Sequence, residues 1–596
     1  MTNCSRRKRW NFSPALRTLA ALAGAGLGGN LRAADPLLYV PADVAGVIVF
    51  RDLDAAARKI NPFLKQINPD HAGLDVPEVG LGLNLPCGQW DTSAPVVVVF
   101  ARPEFSRESM IVAFRPAKGS TLLEPVRPGS KRVRKCEGPE GETFMALRGG
   151  TAFVGRSLKC VRMIPQGPQE KSILSVLTDD EKAMLARSDA FVRVDLNRWR
   201  DKLTPFVVLG LGLMKLSVAA QTQDGQDAAA VVEWLAGGAR SFIDQMESAS
   251  FSFSFDRETI RLDHHHQFAP GRSVAQYLSQ VQRGEDDVLA MIPNRPFLMF
   301  AASNWRSAKG RCLTASLSKR ILEMESVAKK IPAETRRRLI TQMDECYGQV
   351  RGSAFMVAAQ PGRPLPLELM GGYAVEDSAS ALKQLCFLHE NSNEAMSAIL
   401  PGAHCSGKFK PRHDRGVDLM ELNFEPGQTP REIRVELCKV YGPKVRYQQA
   451  AAGPHRVLYT FAEPPTNVID RVKNLAEDRV DKDPAVQRIL SRLPAKPHLA
   501  IVFDLENTLA AVPYLASEHC EAKSGETPTP AAASIAPSQG LIGWAAIVRP
   551  SSICGQLAMD AQDAVKTFKL AREMPQALTK MSGTKIKEKT IIHTDP

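Results

Sequence analysis

The segment FSFSFDRETIRLDHHHQF, from Phe251 to Phe268, is the stretch that best indicates the fold of this chain. Apolar and polar residues alternate on both sides of Asp256–Thr259, which is typical of two antiparallel strands joined by a tight turn. A turn at this place pairs Phe251 with His264. Because paired residues share a face and successive residues alternate between faces, His264 and His266 are predicted on the apolar side of the hairpin.

Three further segments show apolar runs or alternation bounded by turn residues. One of them, Thr143–Gly155, contains Gly149 and Gly150, a pair typical of a tight hairpin turn. The other two are Pro95–Phe100 and Met110–Pro116. Strands arranged in this way predict hairpins and meanders rather than a doubly wound parallel sheet.

Apolar residues at helical spacing predict two amphipathic helices between the hairpins. The apolar faces are Val231, Leu235, Phe242 and Met246 in one helix, and Leu317, Ile321, Met324, Ala328 and Ile331 in the other. Pro332 is expected to end or kink the second helix, because proline lacks the N–H group that continues a helix. The hairpins and helices together predict an α+β fold of antiparallel strands with packed amphipathic helices.

A short strand, an Asp-Leu pair and a helix occur in this order three times along the chain. The copies are Val47–Leu64, Phe191–Val207 and Leu499–Leu515. A weaker copy, Phe297–Leu313, carries Ser303 where the others carry aspartate. Two copies in each half predict an internal duplication, and therefore two related α+β halves.

The aspartates of this repeat are Asp52, Asp195 and Asp504, and each stands directly before a predicted helix. A carboxylate can serve acid–base chemistry there, but the ordinary role is to accept hydrogen bonds from the first N–H groups of the helix. Recurrence at three equivalent places favours this capping role, because a catalytic group is seldom repeated three times in one chain. We therefore expect three helix N-caps.

The first 33 residues contain six basic residues and no acidic residue, and the 12 residues Thr18–Gly29 are uncharged. A basic start followed by an apolar stretch of this length is typical of a cleaved secretory signal peptide. The stretch is too short for a transmembrane helix, which needs about 20 residues. Cleavage lowers the formal net charge from +12 to +6. The mature protein is expected to be exported, periplasmic or extracellular, without a transmembrane segment.

The domain organisation is predicted from the leader, the repeat and local composition. The predicted parts are a signal peptide at 1–33, a first α+β half at 34–285, a second half at 286–520 that resumes at 541–581, a flexible Pro/Ala/Ser-rich insertion at 521–540 and a loose tail at 582–596.

Ten of the 11 cysteines follow the leader, and in an exported protein they meet an oxidising environment. The pairs for which disulfide bonds are predicted are Cys136 with Cys160 and Cys386 with Cys405. The spacing of the cysteines is irregular, so buried free thiols are the alternative.

Five segments share the style and order of a known group of proteins. They are SDAFVRVDLNRW (Ser188–Trp199), LDHHHQFAPGRSVAQYLSQ (Leu262–Gln280), LAMIPNRPFLMFAA (Leu289–Ala302), DPLLYVPADVAGVIVFRDL (Asp35–Leu53) and LGLNLPCGQWDTSAPVVVVF (Leu81–Phe100). In these segments the chain resembles large exported proteins of planctomycete-type bacteria that have no assigned activity. The resemblance implies an envelope location and a duplicated strand-and-helix architecture, and it supplies no catalytic residues.

His264 and His266 are the candidate metal ligands of this sequence. Two imidazoles at positions i and i+2 of a strand lie about 7 Å apart along it and can share an ion. Zinc sites in proteins usually hold three or four protein ligands, and the sequence shows no third ligand nearby. The alternative is that both histidines lie at the edge of the core or on an exposed sheet surface.

A second Cys/His grouping consists of Cys386, His389, His404, Cys405 and His413. It lacks the Cys-x-x-Cys pairs that make a zinc assignment strong. Because thiols of exported proteins commonly form bridges, a disulfide or a plain surface position is the better interpretation.

The sequence contains no Gly-x-Ser-x-Gly elbow, no His-Glu-x-x-His motif and no P-loop, and the string Gly24-x-Gly26-x-x-Gly29 lies inside the predicted leader rather than in a strand-helix unit. Aromatic residues make up 6% of the chain and form no stacking motif, so nucleic-acid binding is not expected. The leading prediction is an exported bacterial envelope protein with a non-enzymatic binding or scaffolding role and no cofactor. The alternatives are a hydrolase or metal-dependent enzyme of unrecognised type, and a carrier of an apolar ligand.

Overall fold

The computed structural model describes residues 36–569 except 70–88, 121–132, 139–140, 222–235, 257, 308–318, 320–321, 324, 361–362, 400–408, 425–439, 442–444, 463–467 and 517–539. The predicted signal peptide at 1–33, the tail at 582–596 and nearly all of the insertion at 521–540 lie outside the described residues. Of the helices within the described ranges, none has both the length and the apolar character needed to cross a membrane.

The chain divides into two compact units. Unit 1 falls within Met1–Val207 and Arg240–Ala269, and unit 2 falls within Val208–Ala239 and Pro270–Pro596. Both units combine helices with antiparallel strands, so the coarse α+β prediction is confirmed.

Nine strands build the sheet of unit 1 in the described part of the chain. They are β1 (Gly46–Phe50), β2 (Val96–Phe100), β3 (Met110–Phe114), β4 (Arg134–Gly138), β5 (Gly141–Arg148), β6 (Thr151–Gly155), β7 (Ala190–Asp195), β8 (Met246–Phe255) and β9 (Thr259–Phe268). The antiparallel order across the sheet is β9-β8-β7-β1-β2-β3-β6-β5-β4.

Helices cover both faces of the unit 1 sheet. Those of the described residues are α1 (Leu53–Ile67), α2 (Leu158–Arg162), α3 (Ile173–Val176), α4 (Asp179–Arg187), α5 (Leu196–Gln221), which continues past the end of the first segment of the unit, and α6 (residues 236–245). Leu53 of α1 packs with Val96 and Val98 on one face. Helices α2 to α4 pack on the other face, where Met184 and Leu185 join the second core.

Unit 2 contains a ten-stranded sheet and a separate two-stranded pair in its described residues. The strands are β10 (Val281–Arg283), β11 (Phe297–Ser303), β12 (Trp305–Ser307), β13 (Val350–Gln360), β14 (Arg363–Val375), β15 (Lys410–Asp414), β16 (Val417–Phe424), β17 (Val445–Ala451), β18 (Arg456–Ala462), β19 (Leu499–Asp504), β20 (Leu541–Arg549) and β21 (Ser552–Asp560). The large sheet has the antiparallel order β21-β20-β19-β11-β13-β14-β18-β17-β16-β15, and β10 pairs with β12.

The helices of unit 2 also lie on both faces of its sheet. They are α7 (Ser273–Leu278), α8 (Glu325–Lys330), α9 (Ala333–Gly348), α10 (Ser378–Ile399), α11 (Val468–Lys473), α12 (Pro484–Ser491), α13 (Leu505–Ala516) and α14 (residues 561–569). Val486 and Ile489 of α12 pack into the core of one face. Leu339 of α9 and Leu385 of α10 pack together in the core of the other.

Several local predictions are confirmed. Phe251 pairs with His264 in the β8–β9 hairpin. Gly149 and Gly150 form the turn between β5 and β6 with φ values of 53° and 83°, which lie in the left-handed region that favours glycine. Pro332 separates α8 from α9, where it is the N-cap of the second helix.

The three predicted N-caps are also confirmed. The carboxylate Oδ1 of Asp52 accepts a hydrogen bond from the N–H of Ala55 at 2.7 Å. Asp195 accepts from Asn197 at 3.0 Å, and Asp504 accepts from Asn507 at 2.9 Å. The carboxylates therefore satisfy N–H groups that have no partner within the helix.

Two sequence predictions are wrong. Met246 was predicted on a helix face with Phe242, but α6 ends at residue 245 and Met246 begins β8. The weak repeat at Phe297–Leu313 was predicted to continue into a helix, but the residues after Ser303 form β12. No carboxylate stands there to cap a helix, and the backbone pairs with β10 instead.

Candidate functional site

His264 and His266 lie side by side on the apolar face of β9, as the alternation predicts. Their ring centroids are 4.9 Å apart and their planes are tilted by 45°. The ring of Phe251 meets His266 edge-on at a centroid distance of 5.8 Å. Both histidines are half-buried. The two imidazoles therefore share one partly desolvated position on the sheet.

Burial lowers the pKa of both imidazoles, because a charged ring is poorly solvated there. For His264 burial is opposed by the negative charge of Asp263. For His266 burial, together with the positive charges that His264 and His265 can carry, lowers the pKa to about 4. Both rings are therefore neutral at pH 7, which is the form that can donate a lone pair to a metal ion.

On the β8 side, the residues in register with His264 are apolar. A row of residues in register crosses four strands of unit 1, from Ile48 through Val192 and Phe251 to His264. All four side chains are half-buried. Within the described residues, neither histidine belongs to a group of three or more potential metal ligands. The described residues therefore supply no third metal ligand beside His264 and His266.

The opposite face of the same hairpin carries a second polar group, centred on the buried carboxylate of Glu181 of α4. The Ser250 hydroxyl donates to Glu181 Oε1. Arg193 Nε lies 3.3 Å from that oxygen, and His265 Nδ1 lies 3.9 Å from it. The N–H of Thr178 donates to the other oxygen, Oε2, at 2.8 Å. We call these five residues the Glu181 network.

The Glu181 network keeps a buried carboxylate ionised. Burial by itself raises the pKa of Glu181, but His265, Ser250, the Thr178 N–H and Arg193 outweigh it and lower the pKa to about 2. A carboxylate with so low a pKa is a weak general base at neutral pH. Its chemistry is therefore that of a fixed negative charge that ties α4 to β8 and β7.

Asp263 holds the outer end of this polar face. Its Oδ2 accepts hydrogen bonds from Arg187 at 3.1 Å and from Ser252 at 3.2 Å. Arg261 donates to the same carboxylate at 2.9 Å. Asp263 is buried, and like Glu181 it is paired inside unit 1.

Sequence reasoning did not identify Glu181 as part of a site. Two signals were present in the chain. Thr178-x-x-Glu181 is a capping box, and the structure contains both of its reciprocal hydrogen bonds. Ser250, Ser252 and His265 alternate on the polar side of the hairpin, which is as regular as its aromatic side.

The second predicted Cys/His grouping is only partly brought together. Cys386 and His389 lie on α10, where Cys386 Sγ donates to Gln449 Oε1 at 3.5 Å and His389 Nε2 lies 3.1 Å from the Tyr447 hydroxyl. Burial lowers the pKa of His389 to about 4 and raises that of Cys386 to about 12. The thiol is thus protonated, whereas a metal binds the thiolate.

The other members of that grouping are elsewhere or outside the described residues. His413 lies on β15 with an exposed side chain, and its Nδ1 is 2.7 Å from Asp418 Oδ1. His404 and Cys405 lie outside the described residues. The grouping does not form a zinc site in the described part of the chain.

The predicted disulfide partners Cys160 and Cys386 both carry buried free thiols in the structure. Cys160 Sγ donates to the carbonyl oxygen of Glu108 at 3.4 Å. The side chain of Cys136 and the whole of Cys405 lie outside the described residues. Disulfide formation therefore stays a prediction.

No family model matches this chain, and no curated protein matches it significantly. Among solved structures, the chain is similar to crystal forms III, IV and I of TP0453. The sequence identities are 8%, 7% and 6% and the TM-scores 0.23, 0.22 and 0.21. Each match covers 48% of this chain, and 98%, 96% and 98% of the TP0453 chain. TM-scores of this size carry no inference about fold or function.

Proposed function

We propose that this protein is an exported component of the bacterial cell envelope with a non-enzymatic binding or scaffolding role, built from two halves related by duplication. The observation that carries the proposal is the strand order. If β11 is equated with β1 and β13 with β2, and so on along the chain, both sheets read in the same order, with β15 as an extra edge strand.

A repeated hydrogen bond at one position supports the duplication. Asp189 directly precedes β7, and its carboxylate accepts from the N–H of Phe255 at 2.6 Å. His498 directly precedes the equivalent strand β19, and its Nδ1 accepts from the N–H of Val548 at 3.2 Å. In both units a side chain thus takes the place of a backbone carbonyl at the end of the central strands.

The use of buried charge supports a structural role for both units. Glu181 is paired within unit 1, as described above. In unit 2 the buried guanidinium of Arg471 donates to the carbonyl oxygens of Tyr459, Met291 and Gly371 at 2.5, 2.7 and 3.2 Å. These carbonyls belong to distant parts of the chain, so the charge connects elements of the fold rather than facing a substrate.

Export is supported by the leader sequence and by the resemblance to exported planctomycete-type proteins. Fractionation of producing cells tests it directly. We expect the mature chain to begin near Ala34 or Asp35 and to be recovered with the envelope. A matched variant in which Arg6, Arg7, Lys8 and Arg9 are replaced by glutamine is expected to remain in the cytoplasm. Recovery of a wild-type chain that still begins at Met1 in the cytoplasm contradicts the export proposal.

The binding or scaffolding role is tested by cross-linking in intact cells, followed by sizing of the product. A scaffold is expected in a complex of fixed composition that survives the His264→Gln/His266→Gln and Glu181→Gln substitutions, provided that the variants fold. A chain recovered alone from cross-linked cells contradicts the scaffolding role, and a complex that depends on the histidine pair favours the metal-dependent alternative. The apolar-carrier alternative predicts that lipid copurifies with the protein.

A further inference from the structure

We propose that His264 and His266 form an exchangeable binding site for a borderline divalent transition-metal ion, for which Zn²⁺ is the probe. This site goes beyond the proposed scaffolding role and does not depend on it. The proposal rests on the geometry of the two rings, on the Nδ1 atom of His266, which lacks a hydrogen bond, and on the apolar residues of β8 beside the pair.

The geometry of the two rings fits a shared ion. The strand places both imidazoles on one face, and their centroids are 4.9 Å apart. Two imidazoles on one tetrahedral zinc ion, with zinc–nitrogen distances of about 2.0 Å, have centroids roughly 5 Å apart. The rings are tilted rather than stacked, as two ligands of one ion are. Little rearrangement is therefore needed for both to bind.

The Nδ1 atom of His266 gives independent support. This nitrogen is buried and makes no hydrogen bond within the described part of the chain. A buried polar atom without a partner destabilises the fold, and such atoms in native proteins call for an explanation such as a water molecule or an ion. A metal ion bound at Nδ1 of His266 supplies the missing interaction.

On the β8 side, the positions paired with the two histidines carry apolar residues and no charged group. His264 is opposite Phe251 and His266 is opposite Ala249 across the β8–β9 pair. The next residue across the sheet from Phe251 is Val192. Two nitrogen ligands leave the remaining positions of the ion to water, so we expect weak and exchangeable binding rather than a structural zinc site.

The test is isothermal titration of ZnCl₂ into the full mature chain after removal of bound metal with a chelator. We expect one zinc ion per wild-type chain, and at least a tenfold weaker affinity for His264→Gln/His266→Gln. The matched control is His413→Gln/His455→Gln, which also removes two histidines, both exposed, and is expected to keep the wild-type affinity. No stoichiometric binding by the wild type, or equal binding by the double His264/His266 variant, overturns the proposal.

A second measurement on the wild type covers the case in which the double variant does not fold. Electron paramagnetic resonance of one equivalent of Cu²⁺ bound to the wild-type chain reports the number of coordinating ring nitrogens. Two equivalent nitrogens, lost in the single variant His266→Gln, support the site. One nitrogen or none, or a signal that disappears in His413→Gln instead, places the ion elsewhere and overturns the proposal.

Discussion

Units 1 and 2 hold a helix against equivalent strands by opposite means. In unit 1 the contact between α4 and the β7–β8 pair is ionic, with Glu181 against Ser250 and Arg193. In unit 2 Gly543 occupies the register position of Ser250. A Cβ atom on Gly543 would lie 2.9 Å from both Ile489 of α12 and Leu493, so this contact is apolar and close.

This difference shows what the ionic network is for. A buried ion pair costs desolvation, and its replacement by well-packed apolar residues is often neutral or stabilising. Unit 2 achieves the same strand order without such a network at this position. The Glu181 network is therefore not required for the topology, and its distinctive contribution to unit 1 is a dependence of stability on charge and pH.

Removal of the Glu181 carboxylate is expected to have the largest effect on the stability of unit 1 relative to unit 2. Glu181→Ala leaves the Arg193 side chain, which is 11% exposed, as a largely buried charge without its partner, and we expect unit 1 to lose about 3–5 kcal/mol of unfolding free energy. Urea denaturation measures the loss, and hydrogen exchange of β8 and β9 assigns it to unit 1. Glu142→Ala, which removes an exposed partner of Lys135, is the control and should change stability by less than about 0.5 kcal/mol. A loss below about 1 kcal/mol for Glu181→Ala contradicts the ionic account.

Lowering the pH should reveal how much the Glu181 network contributes to the unfolding free energy of the wild-type chain. The fold lowers the pKa of Glu181 from 4.5 to about 2, so it favours the ionised form. This contribution is complete above pH 4.5 and is lost as the pH falls from 4.5 toward 2, by about 3 kcal/mol in all. The difference in unfolding free energy between wild type and Glu181→Gln should therefore shrink over this window. A difference that stays constant with pH would show that the fold does not shift the pKa of Glu181.

A serine placed at Gly543, the unit 2 position that corresponds in register to Ser250, tests the apolar contact of unit 2. Gly543→Ser places a Cβ and a hydroxyl against Ile489 and Leu493, and we expect a loss of about 1–3 kcal/mol from overpacking. Gly167→Ser is the matched control, because no atom lies within 4 Å of a Cβ built there. Thermal or urea unfolding measures both variants. Equal stability of Gly543→Ser and Gly167→Ser would mean that α12 is not held as closely as described.

The smallest effect concerns Asp189 and His498, which stand at equivalent positions. Burial, together with the positive charge of Arg283, lowers the pKa of His498. Only the neutral ring can accept the hydrogen bond from the N–H of Val548. Its contribution to stability is complete above pH 6.5 and is lost as the pH falls below that value.

His498→Asp gives unit 2 the residue of unit 1 and should remove this dependence. Between about pH 7.5 and about pH 5.5 the variant should lose less stability than the wild type, by under about 1 kcal/mol. Urea unfolding at the two pH values measures the difference, with the exposed His455→Asp as control. A wild type and a His498→Asp variant with the same pH dependence refute the proposed role of the neutral ring.

Features set by neighbours in the chain were predictable, whereas features set by distant residues were not. The register of Phe251 against His264 follows from a turn that begins five residues after Phe251 and ends five residues before His264. Asp52 caps a helix that begins at the next residue. The burial of Glu181 depends on Ser250, 69 residues further on. On the sequence alone Glu181 stands in an acidic first helical turn, which is ordinarily solvated.

The failed helix after Ser303 shows the same limit. The apolar strand before it was correct, but whether the chain then turns into a helix depends on an N-cap and on the partners available to the backbone. Serine can cap a helix, yet β10, more than 20 residues earlier in the chain, pairs with this segment instead. No pattern within Phe297–Leu313 reveals that partner.

The buried thiols of unit 2 have a further consequence for how the protein can be followed in time. Burial raises the pKa of Cys346 and Cys386 to about 12, so at neutral pH both thiols are protonated and unreactive. A thiol reagent, or the oxidation that a bridge from Cys386 requires, must wait until α9 and α10 part from the sheet. The rate at which Cys346 and Cys386 react with a thiol reagent therefore reports how often this helix layer opens.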